Sequence, residues 1–236
     1  MFSSNTILAL IIIAGITYAV AARKLTVIAA LTGGVVAYLV FVGAGFTGVA
    51  MMTTFFIMGS AATSWQANKK QAFDTANEHK TGRSAAQVLA NAGVAGALGL
   101  LTLFYYQQHP LLVLMMAASF ASATADTLSS ELGTVYGKRF FNIISLKPDE
   151  RGLDGVISLE GTLAGLAGSC IIAVIYVIGF GWDINILWII IAGTVGNFSD
   201  SIMGALLERK SYVGNNTVNF LNTLIAALVM LLIYTI

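Results

Sequence analysis

Charged side chains are scarce in this chain of 236 residues. Asp, Glu, Lys and Arg together make up 10% of it, whereas soluble globular domains carry about 25%. Hydrophobic residues make up 57% of the chain, and its mean hydropathy is +0.84. A soluble domain needs more charge than this to cover its surface. The composition therefore excludes an ordinary soluble protein and predicts a membrane protein.

Cysteine and histidine are also nearly absent, which narrows the possible chemistry. The single cysteine, Cys170, lies in an apolar run and has no partner for a disulfide within the chain. The two histidines, His79 and His109, fall in loops on opposite sides of the predicted bilayer, so a zinc site is not expected. The net charge of +1 gives no reason to expect nucleic acid as a partner. No Walker A sequence is present, which excludes a P-loop enzyme.

Long apolar runs occupy most of the chain, and each is close to the ~20 residues that cross a hydrocarbon core of about 30 Å. The glycine-rich stretch 43–48 suits a tight turn between the second and third runs. We therefore expect an all-α, polytopic membrane bundle of about eight transmembrane helices, forming a single domain over residues 1–236. The eight runs cover approximately 5–22, 25–44, 47–67, 85–106, 110–128, 157–181, 184–207 and 216–236.

The basic residues divide the predicted loops into two classes. All 12 Lys and Arg residues follow the first, third, fifth or seventh apolar run, and the other loops contain none. The positive-inside rule places the basic loops in the cytoplasm and both termini outside. Of the 11 acidic residues, only Asp183 falls in a predicted outer loop. We therefore expect a site that faces the cytoplasm, in a prokaryotic plasma membrane.

Polar residues gather at the predicted cytoplasmic ends of five helices. Ionisable groups at membrane depth are costly and are commonly functional. Asp200 precedes Glu208 by eight residues, which places it about 12 Å deep along the helix axis. In helix order, the candidates are Gln87 and Asn91 on the fourth helix; Asp126, Ser130 and Glu131 at the end of the fifth; Asp154 and Glu160 at the start of the sixth; Asn197 and Asp200 on the seventh; and Asn216, Asn219 and Asn222 on the eighth.

Carboxylates accompanied by amides and hydroxyls are hard oxygen ligands, which suit Mg²⁺. The cytoplasmic loops place Arg83, Lys138 and Arg139 around these acids. Acid-bound Mg²⁺ surrounded by Lys and Arg is the arrangement that phosphoryl or nucleotidyl transfer requires, because the cations neutralise charge on phosphate oxygens. The residues alone therefore predict one of these two transfer reactions.

Each feature also has a structural alternative. The loop Lys and Arg residues are topology signals in the first place. The asparagines of the eighth helix, like Gln87 and Asn91, can simply bond neighbouring helices. Glu131, Asp149 and Glu150 can be solvated loop charges. The deeper acids can form ion pairs that do no more than orient helices.

Four short blocks carry most of these residues in order along the chain: 87–91 (QVLAN), 125–133 (ADTLSSELG), 152–162 (GLDGVISLEGT) and 196–201 (GNFSDS). They resemble the signatures of the phytyl-phosphate kinase family. This is a group of integral membrane proteins long catalogued as a domain of unknown function, and it includes animal transmembrane protein nineteen. The resemblance spans roughly residues 80–222, whereas residues 1–67 resemble the family only by hydropathy.

The resemblance implies a polyprenyl-monophosphate kinase, in which a nucleoside triphosphate and an isoprenyl phosphate give the diphosphate and the nucleoside diphosphate. A more distant likeness to dolichol kinase and to CTP-using lipid enzymes suggests CTP as the donor. The third block departs from the family, which usually has Thr before the Asp and a Gly pair after it. Here Leu153 precedes Asp154, and Gly155 is followed by Val156. If this block wraps phosphate, the change alters donor preference or lowers activity.

On this hypothesis, Asp126, Glu160 and Asp200 form the catalytic centre and hold Mg²⁺ with the nucleotide phosphates. Glu131 and Asp154 are second-rank ligands, and the isoprenoid tail lies between helices in the inner leaflet. We expect Gly93, Gly96 and Gly99 to leave room for that tail. The expected substrate-binding residues are Arg83, Gln87, Asn91, Ser130, Glu131, Lys138, Arg139, Asp154, Asn197, Asn216, Asn219 and Asn222.

Three other functions stay open on the sequence alone. A nucleotidyltransferase that makes a CDP-lipid would use the same residue types and would differ only in its products. A transporter or flippase of an anionic lipid would need polar groups on the outer halves of several helices, where the sequence has almost none. A non-catalytic membrane scaffold would bind no nucleotide.

Overall fold

The protein is a bundle of helices in a computed structural model that describes residues 3–70 and 82–236. The helices are α1 (Ser4–Ala21), α2 (Val27–Ser64), α3 (Ala67–Lys70), α4 (Ala85–Leu101), α5 (His109–Tyr136), α6 (Leu159–Phe180), α7 (Asn185–Met203) and α8 (Asn215–Thr235). Two short strands, β1 (Phe141–Asn142) and β2 (Val156–Ile157), pair antiparallel. A 3₁₀ turn spans Tyr106–Gln108 and precedes α5, and a π-helical turn spans Gly204–Glu208 and extends α7.

In the part of the chain that the structure describes, six helices are long and apolar enough to cross a membrane: α1, α2, α5 with its preceding turn, α6, α7 with its π-helical turn, and α8. The apolar helix α4 is shorter, with 17 residues. The predicted all-α membrane fold is therefore confirmed. The number of crossings and the side on which each terminus lies stay predictions.

The helix α2 contains both the second and the third predicted runs. Its 38 residues would extend about 57 Å as one straight helix, nearly twice the hydrocarbon thickness. Gly45 breaks it, with φ 58° and ψ −151°, a conformation that glycine adopts readily because it lacks a Cβ. The Lys24 Nζ donates a hydrogen bond of 2.6 Å to the Ser64 Oγ. Since residues 24 and 64 lie side by side, the chain reverses at Gly45 and α2 forms two antiparallel halves, 27–44 and 46–64.

The core of the bundle is α5. Every residue from Leu111 to Ala125 is buried, and α5 packs against α2, α4, α6, α7 and α8. A helix that is apolar and buried on all sides belongs at the centre of its bundle. Small residues bring the neighbouring backbones close, and a Cβ added to Gly133 of α5 would lie 2.9 Å from the Gly161 Cα of α6. The central helix thus carries its polar end, from Asp126 onward, into the middle of the surrounding helices.

The glycines of α4 serve helix packing rather than a lipid tail. A Cβ added to Gly99 would lie 2.2 Å from the Leu39 carbonyl oxygen, and one added to Gly96 would lie 3.4 Å from Val36. One added to Gly93 would lie 3.8 Å from Leu89 and 3.9 Å from Phe220. Residues of α2 already occupy the space beside Gly96 and Gly99, and Phe220 of α8 with Leu89 of α4 itself occupies the space beside Gly93. The expectation that Gly93, Gly96 and Gly99 leave room for the tail is therefore wrong.

The loop between α5 and α6 is fixed to the end of α7. Asn142 Oδ1 accepts hydrogen bonds from Ile144 N and Ser145 N at 3.0 and 3.1 Å, which closes a tight turn. Asp149 accepts two hydrogen bonds from the Arg209 guanidinium, at 2.6 and 3.2 Å, and this pairing holds the pKa of Asp149 well below its ordinary range. Asp149 is therefore an ion-pair partner rather than a free solvated charge.

Gly155 fixes the loop against the π-helical turn, and we expect Gly155→Ala to lower stability by about 1–3 kcal/mol. Its φ is +74°, and an added Cβ would lie 2.3 Å from the Ala205 Cβ. Thermal unfolding of the detergent-solubilised protein would measure the loss. Gly15→Ala is the control, because no atom lies within 4 Å of that Cβ position and φ is helical. Equal midpoints for the two variants would contradict this account of the loop.

Candidate active site

A polar cavity of about 270 Å³ lies where the loop between α5 and α6 meets the ends of the helices. Its described lining includes five acidic side chains and one basic one, Arg83. The acids are Asp126, Glu131, Asp154, Asp200 and Glu208. A cavity with this excess of negative charge attracts cations and binds a phosphate only if further positive charge enters with it.

Asp126 of α5 and Asp200 of α7 lie in hydrogen-bonding contact at the inner wall of the cavity. Two partly buried carboxyl groups in contact repel each other unless a proton or a metal ion lies between them. Asn222 of α8 donates a hydrogen bond of 2.7 Å to the Asp200 Oδ1. The Ser122 Oγ in turn donates to the Asn222 Oδ1 at 3.0 Å. This chain from α5 through α8 orients the carboxylate of Asp200.

A second polar link joins α5 to α7. The Ser129 Oγ lies 2.9 Å from the Asn197 Oδ1 and 3.0 Å from the Asp126 carbonyl oxygen. Asn197 is buried, and both side chains line the cavity. The link therefore holds the two aspartate-bearing helices at a fixed distance and adds hydroxyl and amide oxygens beside the carboxylates.

The donor set fits Mg²⁺ at Asp126 and Asp200. No group of three or more His, Cys, Asp or Glu side chains suited to a metal ion occurs within residues 3–70 and 82–236. Mg²⁺ does not need one, because it is commonly held by one or two carboxylates, with waters and substrate phosphates completing an octahedron. Amide and hydroxyl oxygens beside the carboxylates agree with this hard-ligand chemistry.

Glu160 lies outside the cavity, unlike its neighbours Gly161 and Thr162. It sits in the first turn of α6, and its Oε2 accepts a hydrogen bond of 3.3 Å from Lys138 N. Successive helical residues point about 100° apart, so a helix that turns Gly161 toward α5 turns Glu160 away from it. The structure thus separates Glu160 from the two aspartates with which we grouped it.

Glu131 lines the cavity but also forms an ion pair with Lys70. Lys70 is buried, and its Nζ also donates hydrogen bonds of 2.8 Å to the carbonyl oxygens of Ala62 and Thr63. The pairing favours a structural role for Glu131 at the cavity edge. Sequence reasoning treated Lys70 only as a topology signal, because nothing in its local sequence distinguishes it from Lys69.

Of the three predicted phosphate-binding cations, Arg83 lines the cavity and Lys138 and Arg139 do not. The Arg83 Nη2 donates a hydrogen bond of 3.1 Å to the Thr63 Oγ1. Burial lowers the pKa of the Arg83 guanidinium, and the negative charge of Glu131 opposes that shift. An arginine stays charged even so, because the guanidinium is not deprotonated in proteins. Arg83 is therefore the basic group that the described part of the chain offers to an anion inside the cavity.

The other predicted binding residues fall into two groups. Asn222 lies behind Asp200 and supports it without lining the cavity. Asp154 is an exposed loop residue, and partial desolvation of its carboxyl group raises its pKa above the ordinary value. The predicted residues that line the cavity, besides those above, are Gln87, Asn91, Ser130, Asp154, Asn216 and Asn219.

Several lining residues were missed by the sequence analysis. Ser129 stands between two residues that we singled out, and Glu208 served only to measure the depth of Asp200. The aromatic residues Phe140 and Phe198 carry no sequence signal of their own, because phenylalanine is common in apolar segments. The missed residues with polar or aromatic side chains include Thr63, Thr127, Ser129, Thr134, Phe140, Ser158, Thr162, Phe198, Ser201, Glu208 and Asn215.

We expect Lys70→Met to destabilise the protein by about 3 kcal/mol, because it leaves the carboxylate of Glu131 without its ion-pair partner. The two side chains are 11% and 17% exposed, so water replaces the lost partner poorly. The double variant Lys70→Met with Glu131→Gln removes the charge as well and should recover most of the loss. Denaturation midpoints of the three proteins test this. A single variant as stable as the wild type would contradict a structural role for the pair.

The fold and the cavity define a class: a polytopic helical membrane protein with an acidic, cation-attracting cavity at one end of its bundle. Within that class, the family model described as integral membrane protein DUF92 matches residues 10–227 of the chain. The chain belongs to this family, which confirms the resemblance drawn from the four sequence blocks.

Three relatives illustrate the range of similarity. The uncharacterized membrane protein MJ0933 of Methanocaldococcus jannaschii is 35% identical over 80% of this chain and 77% of its own length. Protein VTE6, chloroplastic, of Arabidopsis thaliana is 29% identical over 80% of this chain, which spans 59% of that protein. Protein PGR of the same plant is 28% identical over 77% of this chain and 73% of its own length. No solved structure matches the chain.

Proposed function

We propose that the protein is a kinase that transfers a phosphoryl group from a nucleoside triphosphate, with CTP as the first candidate, to an isoprenyl monophosphate such as phytyl or geranylgeranyl phosphate. The observation that carries the proposal is the charge arrangement of the cavity. Two partly buried aspartates in contact suit a divalent cation, and Arg83 suits a phosphate. Membership of a family that includes VTE6, with the sequence blocks described above, supports the choice of substrate class.

The proposed transfer balances without a general base. An anionic oxygen of the acceptor phosphate forms a bond to the γ-phosphorus of the donor, and the bond from that phosphorus to the β–γ bridging oxygen breaks. The nucleoside diphosphate leaves with that electron pair, and the lipid leaves as its diphosphate. Since the attacking oxygen is already ionised at neutral pH, the chain has to supply positioning and charge neutralisation only.

Each group of residues has one task in this proposal. Asp126 and Asp200 hold Mg²⁺, which would neutralise charge on the phosphate oxygens when bound. Asn222 and Ser122 keep the Asp200 carboxylate oriented. Arg83 binds the acceptor phosphate.

Polar side chains of α7, of α8 and of the loop between α5 and α6 complete the proposed donor site. Asn197, Asn216 and Asn219 border the donor phosphates. The loop carrying Asp154, with positive φ at Gly152 and Gly155, closes the cavity over them. We propose a cavity open to the cytoplasm of a prokaryotic cell, following the distribution of basic residues.

The test is to supply purified protein in detergent with Mg²⁺, each of the four nucleoside triphosphates in turn, and geranylgeranyl or phytyl monophosphate. Chromatography of the lipid products shows whether a prenyl diphosphate forms. The proposal expects it with at least one nucleotide, and no product without Mg²⁺. A CDP-lipid with release of pyrophosphate would replace the kinase with a nucleotidyltransferase. No lipid product in folded protein would overturn the enzymatic proposal.

A further inference from the structure

A second cavity, of about 150 Å³, lies between α1, both halves of α2, and α4. Its walls are largely apolar, and Ile11, Ile16, Phe56 and Val88 are typical of them. No step of the proposed phosphoryl transfer uses this space. We call it the apolar groove.

The apolar groove meets the polar cavity at three side chains. Arg83, Gln87 and Asn91 line both spaces. A partly buried cation and two amides therefore separate a largely apolar wall from an acidic site. A molecule that occupies both spaces needs an apolar chain, and an anionic group at the point where the chain ends. Such a molecule is complementary to the site in charge and in polarity.

The direction of the groove follows from the contacts of α1. Leu25 forms a β-bridge with Arg83, and Lys24 N donates a hydrogen bond of 2.9 Å to the Ala19 carbonyl oxygen. The Ala19 end of the groove is thus beside Arg83. From Ala19 to Ile11, both of which line the groove, α1 rises about 12 Å away from that end. The groove therefore leads from the cation toward the interior of the bilayer.

Resting on the proposed function, we infer that the apolar groove binds the part of the isoprenoid chain nearest the phosphate, with that phosphate on Arg83. The groove is too short for a whole diterpenoid chain, so the remainder extends into the lipid between α1 and α4. Acceptor choice then depends on the first isoprene units and tolerates differences in total length.

Two glycines of the groove allow a direct test. No atom lies within 4 Å of a Cβ added to Gly15 of α1 or Gly33 of α2, and both line the groove. Leucine at either position would project into open space without disturbing a packed contact. Ala14 is the matched control, because it is exposed on the same helix and does not line the groove.

The experiment has a binding arm that needs no catalysis. Geranylgeranyl monophosphate with a diazirine on its second isoprene unit is photolysed on the wild-type protein without nucleotide, and the labelled peptides are mapped. Labelling of residues 11–19 and 33–56, suppressed by unlabelled geranylgeranyl monophosphate, is expected. Gly15→Leu and Gly33→Leu should reduce that labelling about tenfold, and Ala14→Leu should not change it. Specific labelling confined to α5, α6, α7 or α8, which do not line the groove, would overturn the inference.

A kinetic arm separates the groove from the proposed function. The two leucine variants should raise KM for geranylgeranyl monophosphate about tenfold and leave KM for isopentenyl monophosphate, with one isoprene unit, unchanged. If KM for both acceptors is unchanged in folded variants, the inference that the groove binds the isoprenoid chain is overturned. Groove labelling without any phosphoryl transfer would retain the groove and remove the kinase. Phosphoryl transfer together with labelling outside the groove would retain the kinase and remove the groove as the binding site.

Discussion

Asp200→Asn is expected to lower turnover about a thousandfold, equivalent to about 4 kcal/mol of transition-state stabilisation, and to leave the fold intact. The amide retains an oxygen that can accept the hydrogen bond from Asn222. It removes the negative charge that, with Asp126, holds the metal ion in the proposal. Initial rates of lipid diphosphate formation, with circular dichroism and gel filtration as checks of folding, measure the effect.

The control for this substitution is Asp183→Asn. Asp183 lies in the loop before α7, and its side chain accepts a hydrogen bond of 2.9 Å from Asn185 N, which asparagine can replace. We expect the wild-type rate. A rate within threefold of wild type for Asp200→Asn would remove Asp200 from the mechanism, whatever the control does.

Arg83→Gln is expected to raise KM for the prenyl monophosphate by about 10- to 100-fold, because a charge-assisted hydrogen bond contributes about 1.5–3 kcal/mol. The guanidinium borders both cavities, so its loss affects the acceptor more than the nucleotide. Steady-state kinetics with each substrate varied in turn separate the two effects. Arg83→Lys should recover part of the loss, because lysine keeps the charge without the bidentate geometry.

The matched variant is Arg139→Gln, which tests the sequence-based expectation against the structure. Arg139 was expected to bind phosphate, but it lies outside the polar cavity. On the structural account its replacement changes KM less than twofold. A larger effect at Arg139 than at Arg83 would place the phosphate elsewhere and contradict the assignment of the cavity as the acceptor site.

The fold was largely predictable, because a membrane imposes length and hydropathy on each helix. Every predicted apolar run is helical in the structure. The reversal at Gly45 was anticipated from the glycine-rich stretch 43–48. The run at 85–106 yields a helix that stops at Leu101. Hydropathy could not place that end, because residues on both sides of it are apolar.

The site was predictable where depth in the membrane made a polar residue costly. Asp126, Asn197 and Asp200 were singled out for that reason, and the structure brings them to one cavity. Glu160 shares the sequence block of Gly161, but its helical phase takes it outside. The sequence alone does not show where the neighbouring helices lie, so it cannot predict which side of α6 faces the cavity.

Ion pairs between residues far apart in the chain could not be predicted from the sequence. Lys70 meets Glu131 across 61 positions of the chain, and Arg209 meets Asp149 across 60. Loop charges look alike until the fold brings partners together. Open space between helices could not be predicted either. The glycines of α4 looked suited to a lipid tail, but they pack against neighbouring segments.

The most direct test of the central claim is a single-turnover reaction with CTP that carries ³²P at the γ-position and tritium in the base. Enzyme in excess over CTP, with Mg²⁺ and geranylgeranyl monophosphate, is quenched and the lipid product is counted for both isotopes. The kinase account predicts a lipid diphosphate that contains ³²P and no tritium. Tritium in the lipid product would contradict it, because the nucleotide rather than the γ-phosphoryl group would then have been transferred.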